Sequence, residues 1–425
     1  MPSRYWLPVM ALAALACLVT PRVVASAGPV GKTYYLDSRS GNDAAAGTRP
    51  GAAWRSLARA NATPLQPGDR LLLRRGAVWA EPLVLEANGT AQRRIVVGAY
   101  GRGGRPLIRG GSTCVQLGGS FVRVTSLHVD GCSWAGISVS GDFDTIDHSL
   151  VSHNAAGIEI RPESNSAQVA FNDVVDNDRM SVLTQTPSDD DSGAFGILIR
   201  GDGARVTHNR ISGSDAFSYD YGRDGAAVEI YGGRGNLVAY NVAVGDHAFS
   251  ELGNPRAADN TFAYNLFQTA SANATFLVTR GAKDGRGPVD HTRLYNNTAY
   301  LTGAGSQGVV CYAGCSADVL TMRNNIVVAR LKAAYADAPF DEAADVFSGP
   351  VQTMLGPRAV VANPRFTAPT RSDFRLLRSS PAVDRGVPVG FTRDLGGSAV
   401  PVDGNGDGAV APDAGAFEYR PPHTR

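Results

Sequence analysis

The sequence predicts an all-β fold in which coils of parallel strands stack into a solenoid. The first observation is an Asn or Ser that recurs after a β-rich run, at successive spacings of 23, 23, 37, 32, 24, 32 and 28 residues. The second is a strand that follows each of these residues and places one outward side chain between inward β-branched ones. A short period, lengthened where loops are inserted, is typical of a solenoid built one coil at a time.

The recurring polar residues are best interpreted as structural. They are Ser126, Ser149, Asn172, Asn209, Asn241, Asn265, Asn297 and Asn325. Asn favours turns because its side chain bonds nearby backbone, and stacked Asn side chains can satisfy the polar groups of successive turns. The strands that follow them include Ile137–Val139, Ile158–Ile160, Ile197–Ile199, Val228–Ile230 and Phe276–Val278. Equivalent outward side chains of these strands should form ladders at the strand spacing of about 4.8 Å, a face suited to a linear polymer.

The N-terminal residues 1–27 predict a signal peptide. Arg4 precedes an apolar run from Leu7 to Val19, and Ala25–Ala27 offers small residues for cleavage. Lipidation of Cys17 is the less favoured alternative. We therefore expect a secreted, extracellular protein whose mature chain begins near Gly28.

Four cysteines remain after removal of the signal peptide. An even number in an exported chain favours disulfides. Cys114 and Cys132 lie less than one coil apart and could meet between neighbouring turns, whereas Cys311 and Cys315 could close a small loop. Buried free thiols are the alternative, because Cys is often simply buried.

Composition and repeats bound the organisation of the mature chain. The net charge of +1 offers no basic surface for nucleic acid, and no stretch beyond the signal region is long and apolar enough to span a bilayer.

The repeats indicate one elongated unit, which we expect to be a monomer. We divide it into an N-terminal cap with the first coils over 28–110, the repeats over 111–330, and C-terminal coils with a β-rich tail over 331–425. Trp54, Leu57 and Ala60 have helical spacing, which predicts a short capping helix.

Both ends of the mature chain carry a family resemblance. The opening segments Tyr34–Asp37 and Ser40–Asp43, and the closing segments Ser380–Asp384 and Asp413–Tyr419, resemble those of secreted right-handed parallel β-helix proteins of the pectate-lyase-like superfamily. The likeness covers nearly all of the mature chain. It implies the fold and a polysaccharide ligand, but not one activity, because that superfamily includes lyases, glycoside hydrolases, epimerases and non-catalytic proteins.

Insertions between consecutive repeats supply the candidate catalytic and metal-binding groups. Loops on a rigid scaffold concentrate function, and insertions on consecutive coils could wall one groove. The candidates are Asp189, Asp190, Asp191, Glu229, His247, Glu251 and Lys283.

Outward columns of the repeated strand supply the candidate substrate-binding groups. One column holds Glu159, Glu229 and, with a slip of one residue, Glu251; the candidates of the next column and its surroundings are Arg161, Arg200, Tyr231 and Arg280. Rings can stack on sugar faces and guanidinium groups can pair with uronate carboxylates. The alternative is an ordinary solvated β-face whose charges neutralise one another.

Three functions remain open, and a polysaccharide lyase acting on a uronate-containing polymer leads. In β-elimination, Ca²⁺ held by Asp189–Asp191, or an Arg, would neutralise the substrate carboxylate. Lys283 near Arg280 would be the base, with His247 in reserve. The second function is a glycoside hydrolase that uses Glu229 and Glu251 as paired carboxyl groups. The third is a non-catalytic glycan-binding protein at the cell surface.

Overall fold

The computed structural model describes residues 31–186 and 188–421. Three parallel sheets of 12, 12 and 11 strands account for most of the secondary structure in this part of the chain. Each complete coil adds one strand to each sheet, in the order first, second and third, so the predicted all-β parallel β-helix is confirmed. The predicted signal peptide, 1–27, lies outside the described residues.

The strand bounds show the regular alternation of the three sheets. The first sheet contains Thr33–Leu36, Arg70–Arg74, Ile95–Tyr100, Val122–Thr125, Thr145–Asp147, Gln168–Ala170, Arg205–Thr207, Leu237–Ala239, Thr261–Ala263, Thr292–Tyr295, Leu320–Arg323 and Asp341–Ala343. The second contains Val78–Trp79, Leu107–Arg109, His128–Asp130, Leu150–Ser152, Asp173–Val175, Arg210–Ser212, Val242–Val244, Leu266–Thr269, Thr298–Leu301, Ile326–Val328, Val346–Ser348 and Val360–Val361. The third contains Leu83–Leu85, Val115–Leu117, Ala135–Val139, Ala156–Ile160, Phe195–Ile199, Ala226–Tyr231, Ala248–Gly253, Thr275–Arg280, Gln307–Tyr312, Lys332–Ala336 and Val351–Gln352.

A few elements interrupt or extend this pattern. Antiparallel hairpins pair Met180–Val182 with Ser192–Gly193, Ala216–Ser218 with Gly222–Asp224, and Phe366–Ala368 with Asp373–Leu376. Short 3₁₀ turns cover Pro50–Ala52 and Pro369–Arg371. The first two hairpins are the insertions that the uneven repeat spacing predicts. Each hairpin leads directly into a strand of the third sheet, so both hairpins lie beside the N-terminal ends of the strands of that sheet.

The predicted capping helix is present at Leu57–Asn61. Ser56 caps it by accepting a hydrogen bond from the Arg59 amide at 3.1 Å. Leu57 and Ala60 are buried, as their spacing predicts. The helix packs against Leu83–Leu85, the first strand of the third sheet, and so covers an edge that would otherwise expose unpaired backbone groups.

The core lies between the three sheets and is built from the inward positions of each strand. Ile137, Ile158, Ile197 and Val228 are paired in sequence across the third sheet, and all four are fully buried. Burying stacked aliphatic side chains removes apolar surface from water, which is the main favourable term in folding. The strict register also fixes which residue of each strand faces outward.

The recurring Asn residues form a hydrogen-bonded ladder at the corner between the first and second sheets. The Asn241 amide group, for example, donates to Asn265 Oδ1 at 3.0 Å and to the Val206 carbonyl at 2.9 Å, and it accepts from Asn209 at 3.0 Å. All the Asn members are buried. Their predicted structural role fits these contacts.

The ends of the ladder differ from the prediction. The amide of Leu127 donates to Ser149 Oγ at 3.3 Å, so Leu127 occupies the position assigned to Ser126, one residue too early. Ser126 has a left-handed backbone with a φ of 62°, like the residue before each later member. At the other end the ladder continues one coil further, because Asp345 accepts from the Asn325 amide group at 2.8 Å.

Both predicted disulfides are formed. The Cα atoms of Cys114 and Cys132 are 5.9 Å apart, and those of Cys311 and Cys315 are 5.5 Å apart, within the usual range for a bridge. A search of the described residues finds no helix with the length and apolar character needed to cross a membrane.

Candidate active site

The outward face of the third sheet carries a cleft with a volume of about 670 Å³. Its floor is formed by four consecutive strands, from Phe195–Ile199 to Thr275–Arg280. The first hairpin, together with Asp189–Asp191, and the hairpin from Ala216 to Asp224 wall one side. The insertions therefore converge on one groove, as their positions on consecutive coils predict.

Two glutamates lie side by side on this floor. Ala226 pairs with Ala248 and Ile230 pairs with Leu252, so a single register places Glu229 beside Glu251. The predicted slip of one residue is not needed. Adjacent parallel strands lie about 4.8 Å apart, so the two carboxyl groups emerge from neighbouring positions on the same face.

Glu229 is an acid without a partner. Burial raises the pKa of its carboxyl group well above the usual range, and the neighbouring acids Glu251 and Asp224 raise it further. None of the hydrogen bonds among residues 31–186 and 188–421 involves this carboxyl group. The raised pKa favours the protonated form of Glu229, whose side chain lines the cleft.

Glu251 is an ion-paired carboxylate. Nη2 of Arg280 contacts Glu251 Oε1, and the guanidinium carbon lies 5.4 Å from the centre of the Tyr312 ring. Arg280 is 1% exposed. Burial opposes its charge, but the Glu251 carboxylate prevails and raises the pKa of Arg280. The floor thus places an acid with a raised pKa next to a carboxylate that is paired with a buried cation.

Two further groups that can exchange protons line the cleft. Burial raises the pKa of Asp224 to about 7, with Glu251 adding to the effect. Burial lowers the pKa of His247, against the opposing influence of Asp215 at 3.8 Å, so the ring is neutral near neutral pH. His247 is among the predicted residues. The sequence does not predict an acid role for Asp224, because the burial of this side chain depends on how the hairpin packs.

Asp189 ties three insertions together across the cleft. Its carboxylate accepts from the Tyr221 hydroxyl at 2.5 Å and from the Arg286 guanidinium at 2.6 Å. Tyr221 belongs to the second hairpin, and Arg286 follows the strand Thr275–Arg280 at the opposite edge of the sheet. The first insertion therefore crosses the outward face of the third sheet and partly roofs the cleft.

Two of the three predicted metal ligands, Asp190 and Asp191, form an acidic cluster with Asp220, but the oxygen atoms of this cluster already accept hydrogen bonds. One oxygen from each of Asp190, Asp191 and Asp220 lies within 4.8 Å of the others. Asp220 accepts from the amides of Ser188, Asp190 and Asp191. Asp191 accepts from the Thr184 amide with one oxygen and from Ser218, Tyr219 and Asp220 with the other. Asp190 accepts from the hydroxyl groups of Thr184 and Ser188.

The N–H groups that donate to Asp191 and Asp220 point their positive ends at the carboxylate oxygen atoms, the same atoms that a bound cation would contact. The amide hydrogen bonds lower the pKa of both Asp191 and Asp220, and burial at Asp191 does not outweigh them. The arrangement joins the two hairpins through backbone amides. Calcium takes six to eight oxygen ligands, and the three carboxylates here already serve as hydrogen-bond acceptors.

Three predicted site residues do not line the cleft, among the residues that the structure describes. Lys283 is exposed and extends beside Gly314 towards Asp337, whose pKa its charge helps to lower after the amides of Gly314 and Cys315. Arg161 pairs with Glu163 at 3.4 Å. Glu159 is buried beneath Arg200 and accepts hydrogen bonds from Trp134 and Ser138.

The structure brings the other predicted residues together in the cleft. They are Asp189, Asp190, Asp191, Arg200, Tyr231, Glu229, His247, Glu251 and Arg280. Residues that the sequence did not single out for this role complete it, namely Trp134, Arg223, Asp224, Arg286 and Tyr312. Their convergence depends on loop paths that periodicity does not specify.

Comparison with known sequences shows one short similarity. No protein-family model matches the chain. A stretch of 84 residues, 18% of the chain, is 39% identical to a lacto-N-biosidase of Bifidobacterium longum subsp. longum, of which it covers 5%. The chain thus matches only a small fraction of the length of this curated relative.

Comparison with solved structures shows the fold. The crystal structure of pectate lyase Pel9A superposes with a TM-score of 0.58 at 16% identity, covering 92% of this chain and 97% of that one. An alginate lyase from Paenibacillus sp. str. FPU-7 has a TM-score of 0.52 at 14% identity, covering 76% and 98%. The complex of XylC with xylose has a TM-score of 0.55 at 9% identity, covering 91% and 99%. At these identities the likeness shows the fold, a right-handed parallel β-helix.

Proposed function

We propose that the protein is an exported carbohydrate-active enzyme, a glycoside hydrolase that cleaves sugar chains with Glu229 and Glu251. One observation carries the proposal: a glutamate without a hydrogen-bond partner, whose pKa is raised by burial, lies beside an ion-paired carboxylate on the floor of a cleft. Glycoside hydrolysis needs such a pair, one group to donate a proton and one to act as nucleophile or base. Two disulfides support export.

Glu229 is suited to the role of general acid. In the proposed reaction its proton passes to the glycosidic oxygen as the bond from that oxygen to the anomeric carbon breaks. The raised pKa favours the protonated form, which a general acid needs before the reaction. The carboxylate that remains can then take a proton from the water that completes hydrolysis.

Glu251 is suited to the role of nucleophile. Retaining glycosidases hold their two carboxyl groups about 5–5.5 Å apart, and inverting ones hold them about 6.5–9.5 Å apart. Neighbouring positions on adjacent parallel strands, about 4.8 Å apart, favour the shorter separation. The proposed Glu251 carboxylate attacks the anomeric carbon to form a glycosyl ester, which water hydrolyses with net retention. Arg280 orients the carboxylate through their ion pair.

Aromatic side chains around the pair can hold the sugar rings. Trp134, Tyr221, Tyr231 and Tyr312 line the cleft. Tyr231 lies two residues after Glu229 on the same outward face and is 44% exposed. Such rings can cover the apolar faces of sugars while hydroxyl groups bond their edges. Tyr231 would therefore contact a ring next to the cleaved bond.

A polysaccharide lyase is the second candidate, favoured by the neutral His247 in a cleft that also contains guanidinium groups. His247 would remove the proton next to the substrate carboxylate, and an Arg would stabilise the charge that develops. Lys283, the predicted base, does not line this cleft, because its side chain extends towards Asp337. No step is assigned to a metal.

Product analysis separates the two reactions. Incubation with a polysaccharide panel should release reducing ends without absorbance from unsaturated uronates, because hydrolysis adds water and forms no double bond. Appearance of unsaturated products would favour the lyase. Binding with neither product would instead indicate a non-catalytic glycan-binding protein. Proton magnetic resonance of the first-formed anomer then tests retention, and early inversion would remove Glu251 as nucleophile.

A further inference from the structure

We infer that this cleft selects an uncharged sugar chain rather than a uronate polymer, an inference that rests on the proposed glycosidase function. The argument starts from the four guanidinium groups in the cleft, since a uronate carboxylate would need at least one of them. Each of the four is already paired with a carboxylate of the protein. The pairs are Arg200 with Glu159, Arg223 with Asp215, Arg280 with Glu251, and Arg286 with Asp189.

The pairs within the floor are buried and specific. Glu159 is 1% exposed and lies 3.1 Å from Arg200 Nη2. Trp134 and Ser138 donate to the other oxygen of Glu159, so the carboxylate is held from three sides. If Arg200 turned towards a substrate, it would leave a buried carboxylate without its cation, which is strongly unfavourable. Arg280 is similarly committed to Glu251.

The pairs in the walls also hold the cleft together. The Arg286 guanidinium lies 2.6 Å from Asp189, and Arg223 Nε lies 2.6 Å from Asp215. Arg223 Nη2 donates further to the Asp215 carbonyl at 3.0 Å. Redirecting Arg286 to a substrate would release the first insertion from the opposite edge of the sheet. A uronate would thus compete with contacts that shape the cleft.

The remaining charge in the cleft disfavours an anion. Of the six carboxyl groups that line it, Asp189 and Glu251 are paired with guanidinium groups, and Glu229 and Asp224 have raised pKa values. Asp190 and Asp191 are not paired with any of these cations; they accept hydrogen bonds from amides and hydroxyl groups instead. A substrate carboxylate would therefore meet like charge, which destabilises binding. A sugar with only hydroxyl or acetamido groups meets donors, acceptors and aromatic rings at no such cost.

Binding to a catalytically impaired variant tests this selection. Glu229→Gln retains the shape of the side chain, and calorimetry with it compares neutral, N-acetylated and uronate tetrasaccharides. We expect at least one uncharged chain to bind about tenfold or more tightly than any uronate chain, as expected for one lost charge-assisted contact. Hydrolysis rates of the unmodified enzyme on the same panel give a second measurement that does not depend on folding of the variant.

The outcomes separate this inference from the proposed function. Tighter binding and faster hydrolysis of uronate chains would overturn the inference but leave the glycosidase intact. Preferred uronate binding with unsaturated products would overturn both, and so would a failure to bind or cleave any chain.

Removing the carboxylate partner of a guanidinium group in the cleft should shift the binding preference towards uronate chains. Asp189→Asn removes the carboxylate partner of Arg286, and we expect uronate affinity to rise about tenfold. Glu159→Gln, which frees Arg200 inside the cleft, should act in the same direction. Asp373→Asn frees Arg375 on the C-terminal hairpin, whose pair is 2.6 Å long, and serves as the matched control without effect. Unchanged uronate affinity in both cleft variants would overturn the inference.

Discussion

Two polar columns run along this β-helix, and they differ in whether their members satisfy one another. At the corner between the first and second sheets, each Asn bonds the next Asn and a backbone carbonyl. On the outward face of the third sheet, Glu229 bonds none of its described neighbours and Glu251 bonds the side chain of Arg280. Side chains that satisfy one another's hydrogen-bonding groups stabilise the stack of coils. An acid whose hydrogen-bonding groups have no protein partner can instead act on a ligand.

The first test of this comparison is the expected loss of activity in Glu229→Gln. The amide cannot donate a proton to the leaving oxygen, so we expect kcat to fall about 10²–10⁴-fold. Steady-state kinetics on a substrate from the panel measure this, and thermal unfolding should show an intact fold. Glu163→Gln is the matched control, because Glu163 is exposed and lies outside the cleft. Equal loss in both variants would contradict the assignment.

The opposite result is expected for the Asn column. Asn241→Ala removes the side-chain bonds to Asn209, Asn265 and Val206. We expect the free energy of unfolding to fall by about 1–3 kcal/mol, because buried partners lose their bonds, while activity per folded molecule stays unchanged. Denaturant titration measures the first and active-site titration the second. A stable but inactive variant would show that the ladder has a catalytic role.

The pH dependence of stability sharpens the comparison. The pKa of Asp224 rises from 3.8 unfolded to about 7 folded, so the folded state binds its proton more tightly. Between these values the free energy of unfolding should therefore decrease as the pH rises, by at most about 1.4 kcal/mol per pH unit from this group. Asp224→Asn should flatten that slope in denaturant titrations at pH 4 to 7. An unaltered slope would show that Asp224 is not buried as described.

The repeats made the fold and the Asn column predictable, but not the ends of the column. Inward positions recur with each coil, so their burial follows directly from the period. Ser126 and Leu127 fit the period almost equally well, and only the hydrogen bond from Leu127 to Ser149 decides between them. The pattern of Asn and Ser does not predict Asp345 as a member of the column, because an Asp stands at that position. Its side chain nevertheless accepts the same hydrogen bond from the preceding member.

The cleft was predictable only in part. Consecutive insertions correctly indicated that Glu229, His247 and Glu251 share a face. Lys283 and Arg286 belong to the same loop, yet Arg286 contacts Asp189 while Lys283 extends towards Asp337. Sequence does not specify which side chain of a loop turns inward.

The smallest effect is expected from a chelator. A triplet of aspartates predicts calcium, but three of the donors to Asp191 come from a hairpin about 30 residues further along the chain, where a sequence pattern does not reveal them. Because the oxygen atoms of Asp190, Asp191 and Asp220 already accept hydrogen bonds, EDTA should change kcat/KM by less than about twofold and leave the melting temperature unaltered. Asp190→Asn should likewise retain activity, since its hydroxyl partners can bond an amide. Loss of activity with EDTA, restored by added calcium, would show that the cluster rearranges to bind the ion and would return the lyase to first place.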